Sequence, residues 1–594
     1  MFQDFEAQSL PEQGPPRLAA LRAVMAAEGV DAYLVPRADA HQGEYVAPRD
    51  ARLRWLTGFS GSAGFAVVLA DQAGVFIDGR YRVQVLAEVA DCFTLVHWPE
   101  IQLADWLKAA LPGGGVLGFD PWLHSVDEVA RLRAALPGFK LRAGDNFVDR
   151  IWQDQPAPPA APFSVHPVSL AGEDHAAKCA RLAKGLAADA VVLTLPDSIA
   201  WLLNIRGRDI ARNPVPQGFA ILTKSGAVTL FAGAGKAADV MDHLGPDVIV
   251  ADVAGFLPAL RSLTGKVQID PKSCPDLVAT TLAEGVAEVV HGTDPCILPK
   301  ACKNAVEIAG AKAAHLRDAT AMVRFLAWLD ATAPTGGLTE IDVVRALEGF
   351  RRETNELRDI SFETICGSGP NGAIVHYRVS ETTNRALAQD ELLLVDSGGQ
   401  YQDGTTDITR TMVIGTPTAA HRACYTRVLQ GMIAISRIRF PKGVGGQHLD
   451  ALARAPLWLA GMDYDHGTGH GVGSYLSVHE GPQGISRRSE VALQAGMILS
   501  NEPGYYRPGD FGIRIENLIV VVDAPALQGA DDRQMLAFET LTWVPFDRRL
   551  IDTDLLTGAE RDWIDRYHAD TLALIGPRLD ADAKDWLIAA CAAL

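Results

Sequence analysis

The chain has 594 residues, of which 48% are hydrophobic and 21% charged, with 34 prolines, 55 glycines and no short-period repetition. This composition excludes a disordered, collagenous or fibrous chain and predicts a globular protein of about three or four domains. The 54 basic and 72 acidic side chains give a formal net charge of -18, which disfavours nucleic acid or an anionic membrane surface as a partner.

The cysteines and the first residues indicate the compartment. Eight cysteines are scattered without a Cys-x-x-Cys pair, so neither a disulfide framework nor a thiolate zinc clip is indicated. The start of the chain carries Asp4, Glu6 and Glu12 without the apolar core of a secretory signal, and no long apolar run follows. These features predict a cytoplasmic protein that does not enter a membrane.

A proline-rich segment, 155–162, separates two stretches with the same order of apolar runs. Proline neither continues a helix nor pairs within a sheet, so this segment predicts an extended linker. The matched runs are 31–36 with 189–193, 55–56 with 201–203, and 64–68 with 218–222. They are short and mostly apolar, with the β-branched residues typical of buried strands. We expect two copies of one α/β domain, at residues 1–154 and 163–298.

Two prolines between Asp294 and Lys300 mark the next boundary, and a different pattern follows it. Apolar residues recur at helical spacing from Leu316 to Leu329, and a capping box at Thr339 predicts a second helix. Short strands and glycine-rich turns then continue to residue 523. We divide this part into a main α+β domain, 299–535, and a helical C-terminal extension, 536–594.

Carboxylates stand next to apolar strand residues in this main domain. Asp396, Asp407, Glu502 and Glu516 all do so, and an isolated buried carboxylate is costly to keep ionised. Any one of them could form an ordinary salt bridge. Together, however, their four negative charges match two divalent cations, and His470 adds a nitrogen donor. Oxygen-rich ligation with one imidazole and no thiolate favours Mn²⁺, with Co²⁺ or Zn²⁺ as alternatives.

The register of the strand pair that carries Asp396 and Asp407 tests whether these two carboxylates can share a metal. A loop centred between Tyr401 and Gln402 would place the two side chains opposite each other, with Cβ atoms about 5 Å apart. A tight turn at 403–404 would instead offset them by four residues, about 13 Å. We expect the first register, because shared metal binding requires the two carboxylates to be close.

His466 and His470 are four residues apart, the spacing of two ligands on one helical face. The segment 466–473 contains four glycines, which would cost roughly 4 kcal/mol in a helix. Glycines suit a loop or twisted strand that lets backbone approach a ligand. We therefore predict one ligand and one proton carrier rather than a helical pair.

Several motifs together resemble the pita-bread dinuclear metallopeptidases and, within them, the three-domain cytosolic-type Xaa-Pro aminopeptidases. They are the two aspartates eleven apart, His466-Gly-Thr-Gly-His470, His479-Glu480-Gly481-Pro482, Asn501-Glu502-Pro503-Gly504 and Arg514-Ile515-Glu516-Asn517. The likeness spans nearly the whole chain. It implies two creatinase N-terminal-like domains followed by a pita-bread catalytic domain.

The resemblance also implies roles for individual residues. Asp396, Asp407, His470, Glu502 and Glu516 would be the metal ligands, with Glu502 also accepting a proton during catalysis. His376, His466 and His479 would bind substrate or transfer protons, although each could also be a hydrogen-bonded core histidine. Arg514 would support the site by pairing with a ligand carboxylate.

The implied activity is hydrolysis of the bond between an N-terminal residue and a following proline, by a hydroxide bridging two divalent metals. A homodimer is also implied. The alternatives are an Xaa-Pro dipeptidase (prolidase), a creatinase-like hydrolase, and a catalytically silent peptide-binding module of the same fold.

Overall fold

A computed structural model describes residues 1–7 and 9–594. The chain forms two compact units: one spans residues 9–297, and the other combines Met1–Ala7 with Leu298–Leu594. Among the described residues, no helix combines the length and the apolar character needed to cross a membrane.

The unit before residue 298 contains two α/β sheets, each of six strands. The first part has strands β1 (Ala32–Pro36), β2 (Phe65–Leu69), β3 (Ala73–Ile77), β4 (Thr94–His97), β5 (Gly115–Phe119) and β6 (Phe139–Ala143). Its helices are α1 (Gly14–Glu28), α2 (Arg52–Thr57), α3 (Val85–Glu88), α4 (Leu103–Ala110), α5 (Val126–Ala135) and α6 (Phe147–Ile151).

The second part follows the proline-rich segment, which has no regular secondary structure. Its strands are β7 (Ser164–Val165), β8 (Ala190–Leu193), β9 (Ile205–Arg206), β10 (Phe219–Thr223), β11 (Val228–Ala232), β12 (Val248–Asp252), β13 (Lys266–Ile269) and β14 (Glu288–His291). Its helices are α7 (Val168–Ala171), α8 (His175–Gly185), α9 (Pro196–Leu203), α10 (Met241–Leu244), α11 (Phe256–Ser262) and α12 (Asp276–Ala283). Helix α13 (Ile297–Ala301) begins at the last residue of this unit and lies mostly in the second unit.

The two six-stranded sheets have the same topology. Their strand orders are β4-β3-β2-β1-β5-β6 and β12-β11-β10-β8-β13-β14. In the first sheet, β1–β2 and β2–β3 are antiparallel pairs, and β3–β4, β1–β5 and β5–β6 are parallel pairs. The second sheet repeats this pattern, with β8–β10 and β10–β11 antiparallel and β11–β12, β8–β13 and β13–β14 parallel. The expectation of two similar N-terminal α/β domains is confirmed.

The second unit is α+β. Its helices are α14 (Ala305–Thr332), α15 (Glu340–Arg352), α16 (Ala419–Arg437), α17 (Gln447–Trp458), α18 (Gly558–Ile575) and α19 (Ala581–Ala590). Thr339 and Asp342 form the predicted capping box of α15. Met322, Val323 and Leu326 of α14 are buried against α15 and the central strands.

Fourteen short strands complete this unit. They are β15 (Asp359–Ile360), β16 (Ile365–Ser368), β17 (Glu391–Ser397), β18 (Gly399–Tyr401), β19 (Gly404–Thr405), β20 (Ile408–Ile414), β21 (Arg439–Pro441), β22 (Gly469–Gly471), β23 (Glu480–Ile485), β24 (Ile498–Asn501), β25 (Gly504–Arg507), β26 (Phe511–Arg514), β27 (Asn517–Asp523) and β28 (Met535–Thr540). The largest sheet has the order β21-β28-β27-β24-β22-β23. Strand β28 of this sheet precedes the C-terminal helices α18 and α19 along the chain.

The predicted register of the aspartate hairpin is wrong. Asp396 lies opposite Thr409, and Tyr401 pairs with Gly404, so the turn residues are Gln402 and Asp403. Asp407 is staggered by two residues from the position opposite Asp396, between the two registers considered above. Because side chains alternate with a period of two, this stagger still leaves both carboxylates on one face.

Candidate metal centre

Neighbouring strands and the turns beside them carry the five predicted ligands. Asp396 is near the end of β17, Asp407 directly precedes β20, and His470 is the middle residue of β22. Glu502 follows β24 and Glu516 directly precedes β27. Because β22, β24 and β27 are neighbours in the largest sheet, residues distant in sequence meet at one place.

Ligand atoms of Asp407, His470 and Glu516 lie within 4.8 Å of one another. Nε2 of His470 is 3.5 Å from Oδ2 of Asp407 and 3.5 Å from Oε1 of Glu502. Asp396 is linked to this group through Arg514, which donates to Asp396 at 2.6 Å and to Oγ1 of Thr409 at 3.3 Å, and that hydroxyl in turn donates to Glu516. The structure thus brings all five predicted ligands into one cluster.

The carboxylates of this cluster repel one another in a buried environment. Burial, together with the charges of Asp396 and Glu502, raises the pKa of Asp407 to about 6, although His470 opposes the change. Burial and the same negative charges raise the pKa of Glu516 well above its usual range. Closely spaced carboxylates of this kind are stabilised by a cation placed among them.

His470 presents its Nε2 atom to these carboxylates. Its Nδ1 atom lies 2.9 Å from the carbonyl oxygen of Gly471, which can only accept, so Nδ1 carries a proton. Burial lowers the pKa of His470, but Asp407 and Glu502 outweigh burial and raise it to about 9. Once Nε2 loses its proton, its lone pair can bind a cation while Gly471 keeps Nδ1 protonated, which is the tautomer of metal-binding histidines.

Three buried carboxylate oxygens of the cluster have no hydrogen-bond donor among the described residues: Oδ1 of Asp396, Oδ1 of Asp407 and Oε1 of Glu516. Unsatisfied buried acceptors are rare in folded proteins, because each costs about 1–3 kcal/mol. Three such atoms beside an available imidazole nitrogen fit divalent cations with oxygen-rich coordination.

A hydrogen-bonded chain runs from Asp396 to His466. Nη2 of Arg514 donates to Oδ2 of Asp396 at 2.6 Å, and Nη1 donates to the hydroxyl of Tyr506 at 2.5 Å. Burial raises the pKa of Tyr506 to about 12, so its hydroxyl keeps the proton. That hydroxyl lies 2.9 Å from Nε2 of His466, whose Nδ1 donates to Gly467. His466 is thereby oriented through the arginine that holds Asp396.

Contacts of different kinds locate the other two predicted histidines. The ring of His479 packs edge-on against that of His470, with centroids 4.2 Å apart. His376 is partly buried in the loop that follows residues 369–373. Residue Gly372 of that stretch packs closely on Gly512 of β26, where a Cβ atom would lie 1.7 Å from the Gly372 carbonyl oxygen. This close contact places the loop of His376 beside the strand of Arg514.

The segment around His470 forms a short strand and not a helix, as predicted, and its glycines allow close approach of the neighbouring strands. A Cβ atom at Gly469 would lie 2.0 Å from the carbonyl oxygen of Ser500. One at Gly471 would lie 2.3 Å from the carbonyl oxygen of Glu480. A bulge between His470 and Gly471 shifts the register of β22 against β23.

Sequence reasoning missed two residues that hold Glu516. Oγ1 of Thr409 donates to Oε2 of Glu516 at 2.8 Å. Arg410, 1% exposed, donates to the carbonyl oxygens of Glu516 at 2.6 Å and Val544 at 2.7 Å. An arginine inside an apolar strand is itself an unusual pattern, and it could have drawn attention to this position.

Comparison with known proteins decides the family. Residues 309–523 match Metallopeptidase family M24, and residues 534–594 match the C-terminal region of peptidase M24. Residues 17–151 and 154–307 each match the Creatinase/Prolidase N-terminal domain. Aminopeptidase P1 of Arabidopsis thaliana is 38% identical over 96% of this chain and 98% of its own length. The chain belongs to metallopeptidase family M24.

Two further similar proteins cover nearly the whole chain. The probable Xaa-Pro aminopeptidase P of Paracoccidioides brasiliensis (strain Pb03) is 40% identical over 93% of this chain and 94% of its own length. The crystal structure of X-prolyl aminopeptidase from Caenorhabditis elegans, described as a cytosolic enzyme with a di-nuclear active site, superposes with a TM-score of 0.92. It is 34% identical and covers 98% of this chain and 100% of its own.

Proposed function

We propose that this M24 peptidase is a metal-dependent aminopeptidase that hydrolyses the bond between an N-terminal residue and a following proline. The observation that carries the proposal is the convergence of three donorless carboxylate oxygens, from Asp396, Asp407 and Glu516, beside the His470 imidazole. The whole-length relatives named as Xaa-Pro or X-prolyl aminopeptidases support the substrate class.

Asp396, Asp407, His470, Glu502 and Glu516 would hold two divalent cations, with Mn²⁺ favoured by the oxygen-rich donor set. Such cations, when bound, polarise the scissile carbonyl and lower the pKa of a water molecule. The protein's part is to fix the donor atoms. Thr409 and Arg514 do so for Glu516 and Asp396 through the hydrogen bonds described above.

The remaining polar groups suit proton transfer and substrate binding. Glu502 is 17% exposed at its side chain and accepts a hydrogen bond from Oγ of Ser500, so it can accept a proton from the attacking water. We assign His466, His479 and His376 to the substrate carbonyl and the leaving imino group. In this assignment, Arg514 keeps His466 in place through Tyr506.

A panel of Xaa-Pro-Yaa tripeptides, Xaa-Pro dipeptides and creatine tests the substrate class, with each of Mn²⁺, Co²⁺ and Zn²⁺ restored to stripped protein. We expect cleavage of the tripeptides and the highest rate with Mn²⁺. Cleavage of dipeptides alone would indicate a prolidase, creatine hydrolysis would indicate a creatinase-like enzyme, and metal binding without turnover would indicate a silent binding module.

An Asp407→Asn variant tests the ligand assignment. It should lose bound metal and at least about 100-fold in activity, since loss of even a ligand's supporting partner costs about 10–100-fold. Full turnover by this variant after metal stripping and Mn²⁺ addition would contradict the assignment.

We further infer a cytoplasmic homodimer built from domains at 1–154, 163–298 and 299–535, with a C-terminal extension at 536–594. The description of the C. elegans enzyme as cytosolic supports the location. The matched family segments support the division into domains. Sedimentation velocity should give the mass of two chains, and a single-chain mass would contradict the dimer.

A further inference from the structure

Three charged side chains form a buried cluster directly beside His479. Nζ of Lys300 donates to Oε1 of Glu480 at 2.8 Å, and Nζ of Lys303 donates to Oε2 of the same carboxylate. The side chain of Glu480 is fully buried, and those of the two lysines are 2% and 1% exposed. Desolvation of three ions opposes folding, so stability alone is a weak reason for such a cluster.

The Glu480 end of this cluster is tied to the metal centre. Glu480 follows His479 directly and opens β23, where its backbone pairs with Gly471 at the bulge next to His470. The carbonyl of Glu480 passes so close to Gly471 that no side chain fits there. Any movement of Glu480 therefore moves the backbone from which the His479 ring projects.

The lysine end is fixed to a different part of the same unit. The amide of Lys303 donates to the carbonyl of Gly496 at 3.0 Å, and Cys302 forms an isolated bridge with Met497. A Cβ atom at Gly496 would lie 2.5 Å from the carbonyl oxygen of Lys303. The segment that carries the lysines, at the end of α13, is thus fixed against the turn before β24, the strand that leads to Glu502.

We propose that Lys300, Lys303 and Glu480 form a positioning clamp for His479, by joining β23 to the turn before β24. The clamp holds the His479 ring against the His470 ring, in position to contact the substrate. The inference rests on the proposed function, in which His479 acts on substrate. Lys300 and Lys303 do not touch substrate in this arrangement, so their effect on the reaction passes through His479.

A Lys303→Met variant tests the clamp in the full-length, metal-loaded enzyme. The remaining Lys300 and Glu480 form a neutral pair, so the fold and the bound metal should be retained. We expect kcat for a tripeptide to fall about tenfold with little change in KM, because small misplacements of catalytic groups have effects of this size. Lys312→Met is the matched control, since Lys312 pairs with Glu539 at the surface, and its kcat should be unchanged.

The decisive measurement repeats Lys303→Met in a His479→Ala background. If the clamp acts through His479, the second substitution should leave the already lowered kcat unchanged. Independent losses that multiply would overturn the proposal. An inactive parent chain, or full activity of His479→Ala alone, would instead overturn the proposed function and the role it gives to His479.

A third variant separates positioning from stability. Replacing Lys300, Lys303 and Glu480 all by Met keeps the side-chain volume similar and removes the three buried charges of this cluster. The protein should therefore melt at the same or a higher temperature. Its kcat should nevertheless fall by about tenfold or more. Parental kcat in this folded variant, with normal bound metal, would contradict the clamp.

Discussion

At Asp407, burial and neighbouring negative charge act in the same direction on one carboxyl group. Both raise its pKa, from 3.8 to about 6. A carboxyl group with a raised pKa binds its proton more tightly in the folded than in the unfolded protein, so its ionisation opposes folding. Without metal, the site is therefore a source of instability at neutral pH.

We predict that Asp407→Asn stabilises the metal-free protein at neutral pH. The advantage over the parent should grow between about pH 4 and about pH 6, where the parent loses the proton that favours folding, and then stay constant. A plateau of about 1–3 kcal/mol is expected from the size of the pKa change. Urea unfolding of chelator-treated proteins across this range provides the measurement, and a difference independent of pH would contradict the explanation.

Among the strands, β22 shows how close backbone contact sets the site. It is short, it is bulged at His470, and Gly469 and Gly471 bring it against β24 and β23. Two glycines, which have no side chain, thus set the position of Nε2 of His470, a proposed ligand atom.

Gly471→Ala should force β22 and β23 apart, because its Cβ atom would lie 2.3 Å from a carbonyl oxygen of β23. We expect a loss of about 1–3 kcal/mol in the free energy of unfolding, as for other overpacked positions, together with weaker metal binding. Gly349→Ala is the control, since nothing lies within 4 Å of its Cβ position in helix α15. That change should stabilise the protein slightly. Denaturant unfolding and metal titration check both variants.

The acidic cluster could be predicted from sequence because each of its carboxylates adjoins apolar strand residues, where burial and charge conflict. The duplicated N-terminal domains could be predicted because the matched runs kept their order. The hairpin register could not, because two carboxylates on one strand face can converge either directly opposite each other or two residues apart. The chain reverses at Gln402 and Asp403, which gives the second arrangement instead of the predicted first. Contacts such as Lys300 with Glu480 join residues 180 positions apart, and no local pattern encodes them.

For the whole molecule, the division into two compact units separates the effects of metal. All five proposed ligands lie in the unit formed by Met1–Ala7 and Leu298–Leu594. Saturating Mn²⁺ should raise the temperature of the calorimetric unfolding transition of that unit. At a concentration of one hundred times Kd, the free energy of unfolding should increase by about 2.7 kcal/mol. The transition of residues 9–297 should not move. A shift of both transitions by the same amount would contradict the assignment of the site to one unit.

The C-terminal segment should also affect metal binding, because Tyr567 of α18 contacts Arg410. Its hydroxyl lies 3.1 Å from Nη2 of Arg410 and donates to the carbonyl of Val544. Tyr567→Phe should weaken Mn²⁺ binding about 10-fold, within the range for residues that support ligands. Tyr33→Phe, which removes a buried hydroxyl from the other unit, is the control and should leave the affinity unchanged. Isothermal titration with Mn²⁺ measures both.

The arrangement around Arg410 has a consequence for synthesis of the chain. Its guanidinium joins the backbone of Glu516 to Val544 and Tyr567, which the ribosome adds later. A nascent polypeptide that has exposed all five proposed ligands still lacks two of the groups that hold Arg410 against Glu516. We therefore expect peptidase activity to appear only after Val544 and Tyr567 have left the ribosome, when the tandem N-terminal domains have had time to fold.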